Sequence, residues 1–340
     1  MRSLLVLWPT DQCNLNCSYC YAATAEGRTP YGNMNLSTAK AAIDMLRSEA
    51  LTIQFAGGEP LLNPDYIEQV CQYAATKSNE AVFQIQTNAT LITKAVAQML
   101  KRYRICVGVS LDGSMETNDY QRGSTRAVIE GTRLLFSEGI TVNLNAVVTN
   151  HNVDKLNELV DMAIYLGNVH GIGLDLFRKA GRALDENCQV SEASSDSLRM
   201  GLQNLYKYLK TVNHVVKPAI IVREFEKARV YPQNSDDTVM HYCYAAQGQS
   251  YVVLPNGDVY PCGSLAGQKQ YAMGNVHNSV KPISIQCNKP KTCLSCEYAS
   301  YCPGGCPSRG LLNGGFDELD CVMRKTTFQL TTKVKDKENK

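Results

Sequence analysis

Leu4-Leu5-Val6-Leu7-Trp8-Pro9-Thr10-Asp11-Gln12-Cys13-Asn14-Leu15-Asn16-Cys17-Ser18-Tyr19-Cys20 decides the fold. An apolar run ends at Pro9-Thr10 and opens into a loop that carries three cysteines. The run reads as a short buried strand. The loop is polar through Asp11, Gln12, Asn14, Asn16 and Ser18, which argues against three cysteines packed in a core. Three thiolates on a four-iron cube leave one iron without a protein ligand, open to a substrate or cofactor. A structural zinc ion would need a fourth protein ligand close by. Asp11 lies before the loop, and no histidine occurs before His151.

Outward from that loop, strand-like and helix-like segments alternate. Strands are expected at 51–56, 81–86, 105–111, 140–148 and 171–177. Helices are expected at 37–50 with Ser37 as N-cap, and at 65–76, 93–103, 125–138 and 154–166. Counting the first run, six strands with intervening helices imply an α/β fold with a parallel sheet covered by helices. In such folds functional residues gather in the loops that follow the strands. The polar and glycine-rich motifs fall there: Cys13–Cys20, Gly57-Gly58-Glu59-Pro60, Gln86-Thr87-Asn88 and Ser110-Leu111-Asp112-Gly113.

The chain has 340 residues, 44% of them hydrophobic, enough for one large domain and a smaller one. A net charge of +2 gives no hint of a nucleic-acid partner. No apolar stretch approaches the roughly 18–20 residues that span a bilayer, and Met1–Trp8 is too short for a signal peptide. A cytoplasmic protein is expected. The 14 cysteines sit mostly at short spacings, which favours metal or cluster ligation over disulfides. Cys71 and Cys106, in apolar patterns, read as core residues.

Residues 181–242 read as a helical bridge, with one helix over 190–212. The chain before it forms one domain (1–180). A cysteine-rich unit (243–330) follows, with a charged tail at 331–340. In the cysteine-rich unit, Tyr251–Leu254, Asn256-Gly257 and Asp258–Tyr260 signal a β-hairpin. Around it lie Cys243, Cys262, Cys293, Cys296, Cys302, Cys306 and Cys321. On chemistry alone a double zinc site is conceivable, with His241 or His277 completing eight ligands.

Cys13-x3-Cys17-x-Tyr19-Cys20 resembles the signature of the radical S-adenosylmethionine (SAM) enzymes. The resemblance implies a partial (β/α)6 TIM-like barrel and a [4Fe–4S] cluster on Cys13, Cys17 and Cys20. The open iron would chelate the amino and carboxylate groups of SAM. Reductive cleavage would then give a 5′-deoxyadenosyl radical that abstracts hydrogen from a substrate. Gly57, Gly58, Glu59 and Pro60 match the family's GGEP motif, which contacts the methionine amino group. Gln86 and Asn88 match the segment after strand three, although Ala89 stands where glycine is usual. Ser110, Asp112 and Gly113 match an S-x-D-G element. Asn118–Arg122 matches a further segment, with Asn118 replacing the common histidine. Ser110 and Arg122 become candidates for the carboxylate and ribose side of the cofactor. Tyr19 and Tyr21 become candidates to frame the adenine, with plain packing as the other reading.

The later cysteines, with Gly257, Tyr260-Pro261-Cys262-Gly263 and Cys302-Pro303-Gly304-Gly305-Cys306, resemble the SPASM domain of many such enzymes. That implies two auxiliary Fe–S clusters, hence three in all. One would use Cys293, Cys296, Cys302 and Cys321; the other Cys243, Cys262 and Cys306. The second lacks a fourth cysteine. An open iron is the favoured reading; Asp237, His241, Cys188 or Cys287 are the alternatives.

By the same resemblance the enzyme oxidises or crosslinks a peptide or protein side chain, as in maturation of ribosomally made peptides. The alternative is a small molecule such as a haem precursor. Sulfatase maturation is disfavoured, because Gly263 stands where that branch carries an aspartate base. Tyr244, Asp258 and His241 are candidates for the base. A flavodoxin or ferredoxin would donate electrons. The first strand begins near residue 3, leaving no room for a leader-binding winged helix, so a peptide substrate would need a separate leader-peptide-binding protein or direct capture by the barrel and SPASM surfaces. Two other classes compete: a non-catalytic Fe–S electron carrier, and a zinc-binding interaction protein.

Overall fold

The apolar run before the cysteine loop forms strand β1 (Arg2–Leu7), with Leu5 and Leu7 fully buried. The computed structural model describes residues 2–22, 31–46, 50–77, 80–231, 241–286 and 289–332. Strands β2 (Ala50–Phe55), β3 (Val82–Thr87), β4 (Cys106–Ser110), β5 (Val142–Val148) and β6 (Val169–Leu176) follow. Each pairs in parallel with its predecessor. Between them lie helices α1 (Leu36–Met45), α2 (Pro64–Ala75), α3 (Lys94–Arg102), α4 (Met115–Gln121), α5 (Thr125–Ser137) and α6 (Glu158–Leu166). The six-strand parallel core is the one the sequence pattern implies.

The strands show why the core can be open on one side. Leu5, Leu7, Ile53, Phe55, Ile85, Val107, Val109 and Leu144 are buried in one apolar cluster with the helices. Their neighbours in the period-two alternation are Gln54, Gln84, Gln86, Cys106, Gly108, Ser110, Asn143 and Asn145, and these line a central cavity. A closed barrel fills its interior with branched side chains. Here the inward positions are amides and glycines, so the interior is polar. Cys106 is one of them: it is exposed to this cavity and not a core residue, because its strand position faces inward. Cys71 is buried, as expected.

Several boundaries differ from the sequence pattern for local reasons. Helix α1 begins at Leu36, with Asn35 and not Ser37 at the cap position; it ends at Met45, and Ala50 already opens β2. Regular helix in α6 starts only at Glu158, after turns in which the Asn152 side chain accepts from the Thr149 amide at 2.9 Å. The bridge helix α7 (Ser195–Val215) starts five residues late, where the Ser194 hydroxyl accepts from the Ser197 amide at 3.1 Å. Helix α4 arises where only a motif had been read.

Beyond β6 come β7 (Ile221–Val222) and α8 (Arg223–Val230), then the expected hairpin β8 (Ser250–Val253) and β9 (Asp258–Tyr260). Gly257 takes φ +89° at the turn, as the Asn-Gly pair predicts. The hairpin extends the barrel sheet: β8 pairs in parallel with β1, Leu4 opposite Ser250 through Leu7 opposite Val253. With β10 (Gly274–Asn275) the ten strands run in the order β10-β9-β8-β1-β2-β3-β4-β5-β6-β7. Helices α9 (Pro307–Leu312) and α10 (Glu318–Thr332) end the described chain. Helix α10 packs on α7 and α8. Thr331 and Thr332, placed in the tail from sequence, still belong to α10; the rest of the tail lies outside the described residues.

Candidate active site and cysteine clusters

The glycine loop after β2 is stitched to the cysteine loop after β1. Gly58 N donates to Thr10 O (3.0 Å) and Glu59 N to Gln12 O (2.8 Å). Only glycine fits: a Cβ on Gly58 would lie 1.9 Å from Gln12 O. Gly58→Ala must push Gln12 away and with it Cys13. We expect SAM cleavage to fall by about 10²-fold, the penalty of an ångström-scale misplacement. Gly315→Ala, where a Cβ meets nothing within 4 Å, is the control and leaves the rate unchanged. The assay is 5′-deoxyadenosine release measured by chromatography.

Glu59 is buried at 1% exposure. It accepts from Leu61 N (3.0 Å), the Thr87 hydroxyl (2.6 Å) and Asn88 N (2.8 Å). Burial pushes its carboxyl up from the usual range, against these three donors. A buried carboxylate at the lip of a cavity fits a cationic amino group. Asn88 Nδ2 reaches Asn14 Oδ1 at 2.9 Å and lies 3.9 Å from Cys13 Sγ, tying the segment after β3 to the cysteine loop. Gln86 donates to Ser110 Oγ (2.8 Å) and accepts from Asn145 (2.8 Å).

Cys13, Cys17, Cys20, Tyr19, Tyr21, Gly57, Gly58, Glu59, Gln86, Asn88, Ser110 and Arg122 all line one cavity of about 1210 Å³. Pro60 and Asp112 do not line it. Pro60 opens a 3-10 turn, Pro60–Leu62. The Asp112 carboxylate is filled by protein donors: Arg122 Nε and NH2 (2.9 and 3.2 Å), Gln121 Nε2 (3.0 Å), Val147 N (2.9 Å) and the Tyr19 hydroxyl. It is a hub that orients Tyr19 and Arg122, whose guanidinium sits 5.3 Å from the Tyr19 ring centre. The loop after β6 closes over the cysteine loop. Arg182 N donates to Cys20 O (3.1 Å), and a Cβ on Gly181 would lie 2.2 Å from that oxygen.

Folding brings each expected set of cysteines together. Cys13, Cys17 and Cys20 lie within electrostatic reach of one another. So do Cys243, Cys262 and Cys306, and so do Cys293, Cys296, Cys302 and Cys321. Among the described residues, no three His, Cys, Asp or Glu converge tightly enough for a single metal ion. A single ion needs all ligands within about 2.3 Å of one point, whereas a cluster takes each thiolate on a different iron. All-thiol sets of three and four residues are the donor chemistry that a cluster takes. Burial pushes the Cys13, Cys17 and Cys243 thiols up, so loading must displace protons.

The candidates for the base fare otherwise. Tyr244, Asp258 and His241 do not line the central cavity. Tyr244 lines a separate shallow pocket with Arg2, Cys243, Gln247 and Gln249. Asp258 is engaged in the hairpin turn by Asn256 (2.7 Å) and Asn275 (2.9 Å). Cys188 lies beside the first cysteine loop, 3.4 Å from Ser18 O, and packs near Tyr19 and Phe177. Asp237 and Cys287 lie outside the described residues. Asp175, Glu226 and Lys227 do line the cavity and were missed. Asp175 closes β6, so the rule that sites follow strand ends would have found it; Lys227 sits on a helix that carries no motif.

Residues 9–163 match the sequence profile of the Radical SAM superfamily. An uncharacterized protein of Methanocaldococcus jannaschii is 33% identical over 304 residues, 86% of this chain and 95% of that one. An AdoMet-dependent heme synthase of Methanosarcina barkeri is 26% identical, covering 94% of this chain and 96% of its own. A serine-type anaerobic sulfatase-maturating enzyme of Klebsiella aerogenes is 25% identical, covering 87% of this chain and 77% of its own. The solved structure of native anSMEcpe with bound AdoMet superimposes with a TM-score of 0.81 at 20% identity, over 98% of this chain and 97% of that one. The likeness of fold therefore extends through the cysteine-rich C-terminal part. No helix among the described residues is long and apolar enough to cross a membrane.

Proposed function

The chain belongs to the radical SAM superfamily, and from that premise we propose that it uses SAM to oxidise or crosslink a peptide or protein side chain inside the barrel. The observation that carries this reading is the convergence of three thiols, the Glu59 carboxylate and Ser110 on one cavity. A [4Fe–4S] cluster and SAM, when bound, supply a carbon-centred radical that takes a hydrogen atom from substrate. Cys13, Cys17 and Cys20 would hold three irons. Glu59 would receive the methionine ammonium, with its remaining acceptor capacity on a carboxylate already fixed by Thr87, Leu61 and Asn88. Ser110 and Arg122 would face the carboxylate and ribose side.

The barrel residues also make room for a substrate. The cavity is larger than the ~300–1,000 Å³ of ordinary small-ligand pockets, so a second reactant fits beside the nucleoside. Its far wall, with Asp175, Glu226 and Lys227, is charged. The second and third cysteine sets would hold two auxiliary clusters that take the electron left on an oxidised substrate. The set with Cys293 is thinly covered: Leu294 is 87% exposed, and Lys289 and Lys325 lie near Cys293. That cationic rim suits an acidic electron carrier such as a flavodoxin or ferredoxin.

The relationship to a heme synthase supports a second reading, in which the substrate is a tetrapyrrole. The two separate on substrate stimulation of SAM cleavage. Peptides encoded beside the gene, offered to the iron-loaded enzyme with dithionite and SAM, are expected to raise 5′-deoxyadenosine formation at least tenfold. Deuterium placed on their β-carbons is expected in the nucleoside. Stimulation by iron coproporphyrin and not by any peptide moves the assignment to the tetrapyrrole.

A further inference from the structure

Arg178 carries a buried guanidinium nitrogen with nothing to bond. Its NH2 group is satisfied by Asp175 Oδ2 at 2.8 Å, but NH1 is buried and has no hydrogen-bond partner. A buried N–H left unmade is costly, and more so on a charged group. Such an orphan needs an acceptor that the polypeptide does not supply.

The surroundings identify the acceptor by charge. Burial opposes the charge of Arg178; Asp175 and then the thiolates of Cys306 and Cys262 favour it, and Arg309 opposes it. On its other side the guanidinium lies 5.9 Å from the ring centre of Tyr21, next to Cys20 in the chain. Arg178 therefore stands within electrostatic reach of Cys262 and Cys306 and against Tyr21, the neighbour of Cys20, and a Cβ on Gly263, the neighbour of Cys262, would lie 3.6 Å from the Tyr21 hydroxyl. Its position is fixed from behind. Asp175 also binds Arg309 NH1 (2.9 Å), and Arg309 Nε meets Asp320 Oδ2 (3.1 Å), which accepts from Cys306 N (2.9 Å). The chain of charges returns to the cysteine set it started from.

We propose that Arg178 is a positioning residue of the auxiliary site, donating its NH1 hydrogen to an anionic sulfur of the Fe–S cluster held by Cys243, Cys262 and Cys306. This rests on the reading that those three cysteines bind a cluster. Hydrogen bonds to cluster sulfurs, and net charge nearby, set reduction potentials. A fixed cation there makes the cluster easier to reduce, which suits a group that must accept an electron from a substrate radical. The structure builds that cation from the end of β6, on the barrel side. The cluster's potential would thus depend on correct docking of the C-terminal unit.

The test uses the full chain with clusters restored anaerobically and the first set disabled by Cys13→Ala, Cys17→Ala and Cys20→Ala. Arg178→Gln is expected to make reduction of one remaining cluster at least tenfold less favourable, about 59 mV for a one-electron couple. Arg178→Lys, which keeps the charge, is expected to shift it by less than half as much. Pulsed EPR of the reduced protein grown on 15N-arginine is expected to show one exchangeable-proton and nitrogen coupling that Arg178→Lys abolishes. That coupling is read in the unsubstituted Arg178 protein, so it stands even if the glutamine variant fails to load. An unchanged potential in Arg178→Gln, or no arginine nitrogen coupling, overturns the proposal. Failure of the underlying reading looks different: Cys262→Ala would then leave the iron content untouched.

Discussion

Cys17→Ala is expected to remove one cluster and all measurable SAM cleavage. Iron should fall from about a dozen per chain to about eight, since each cubane holds four. Two thiolates would remain at the site, and a cube with two free corners does not persist. Cys17 is held in place by its surroundings, so a neighbour cannot substitute. Arg182 NH1 donates to Cys17 O at 3.0 Å, and Ser18 N donates to Gln121 O at 3.0 Å. Cys188, though close to this loop, is occupied between Ser18 O (3.4 Å) and Val190 O (3.2 Å). The loss in 5′-deoxyadenosine formation should exceed the 10–100-fold typical of residues that merely support metal ligands. Iron analysis and chromatography on the same sample measure both effects.

Arg309→Met is expected to destabilise the chain by about 3–5 kcal/mol, the cost of breaking a buried ion pair by removing one partner. The Arg309 side chain is 1% exposed and that of Asp320 2%. Arg309 also donates to Leu176 O (3.3 Å) and to the Tyr242 hydroxyl (3.2 Å), so it joins β6, α9, α10 and the segment that carries Cys243. Without it, the buried Asp320 carboxylate loses its paired guanidinium and keeps the Cys306 amide as a hydrogen-bond donor. Urea unfolding of the metal-free chain gives the stability. Arg309→Met with Asp320→Leu is expected to recover part of the loss, because replacing both charges avoids the unpaired carboxylate. Equal stability of Arg309→Met and wild type would show that the two parts dock by apolar contact alone.

The barrel was legible because its strands obey a simple rule. Leu51, Ile53 and Phe55, or Val107 and Val109, are apolar toward the helices, and motif residues follow each strand end. The cysteine sets were legible because short spacing survives folding. What stayed hidden depended on contacts between distant segments. Nothing in the local sequence around Asp175, Arg178, Arg309 and Asp320 says that they meet. Asp112 reads from its motif as a contact of the cofactor, but five donors from three segments consume its carboxylate. Cys106 looked like a core residue because an apolar strand surrounds it; only the register shows that its face points inward. The docking of β8 on β1 is likewise a long-range pairing, over some 246 residues, that no local pattern encodes.

The central claim is that the open cluster on Cys13, Cys17 and Cys20 turns SAM into a radical source. The most direct test is an EPR spectrum of the dithionite-reduced, iron-loaded protein before and after SAM, followed by analysis of the nucleoside formed. SAM is expected to shift the signal of one cluster, the shift to disappear in Cys17→Ala, and 5′-deoxyadenosine to accumulate. A protein that holds its iron and reduces normally, yet shows neither a SAM-dependent shift nor 5′-deoxyadenosine, contradicts that claim.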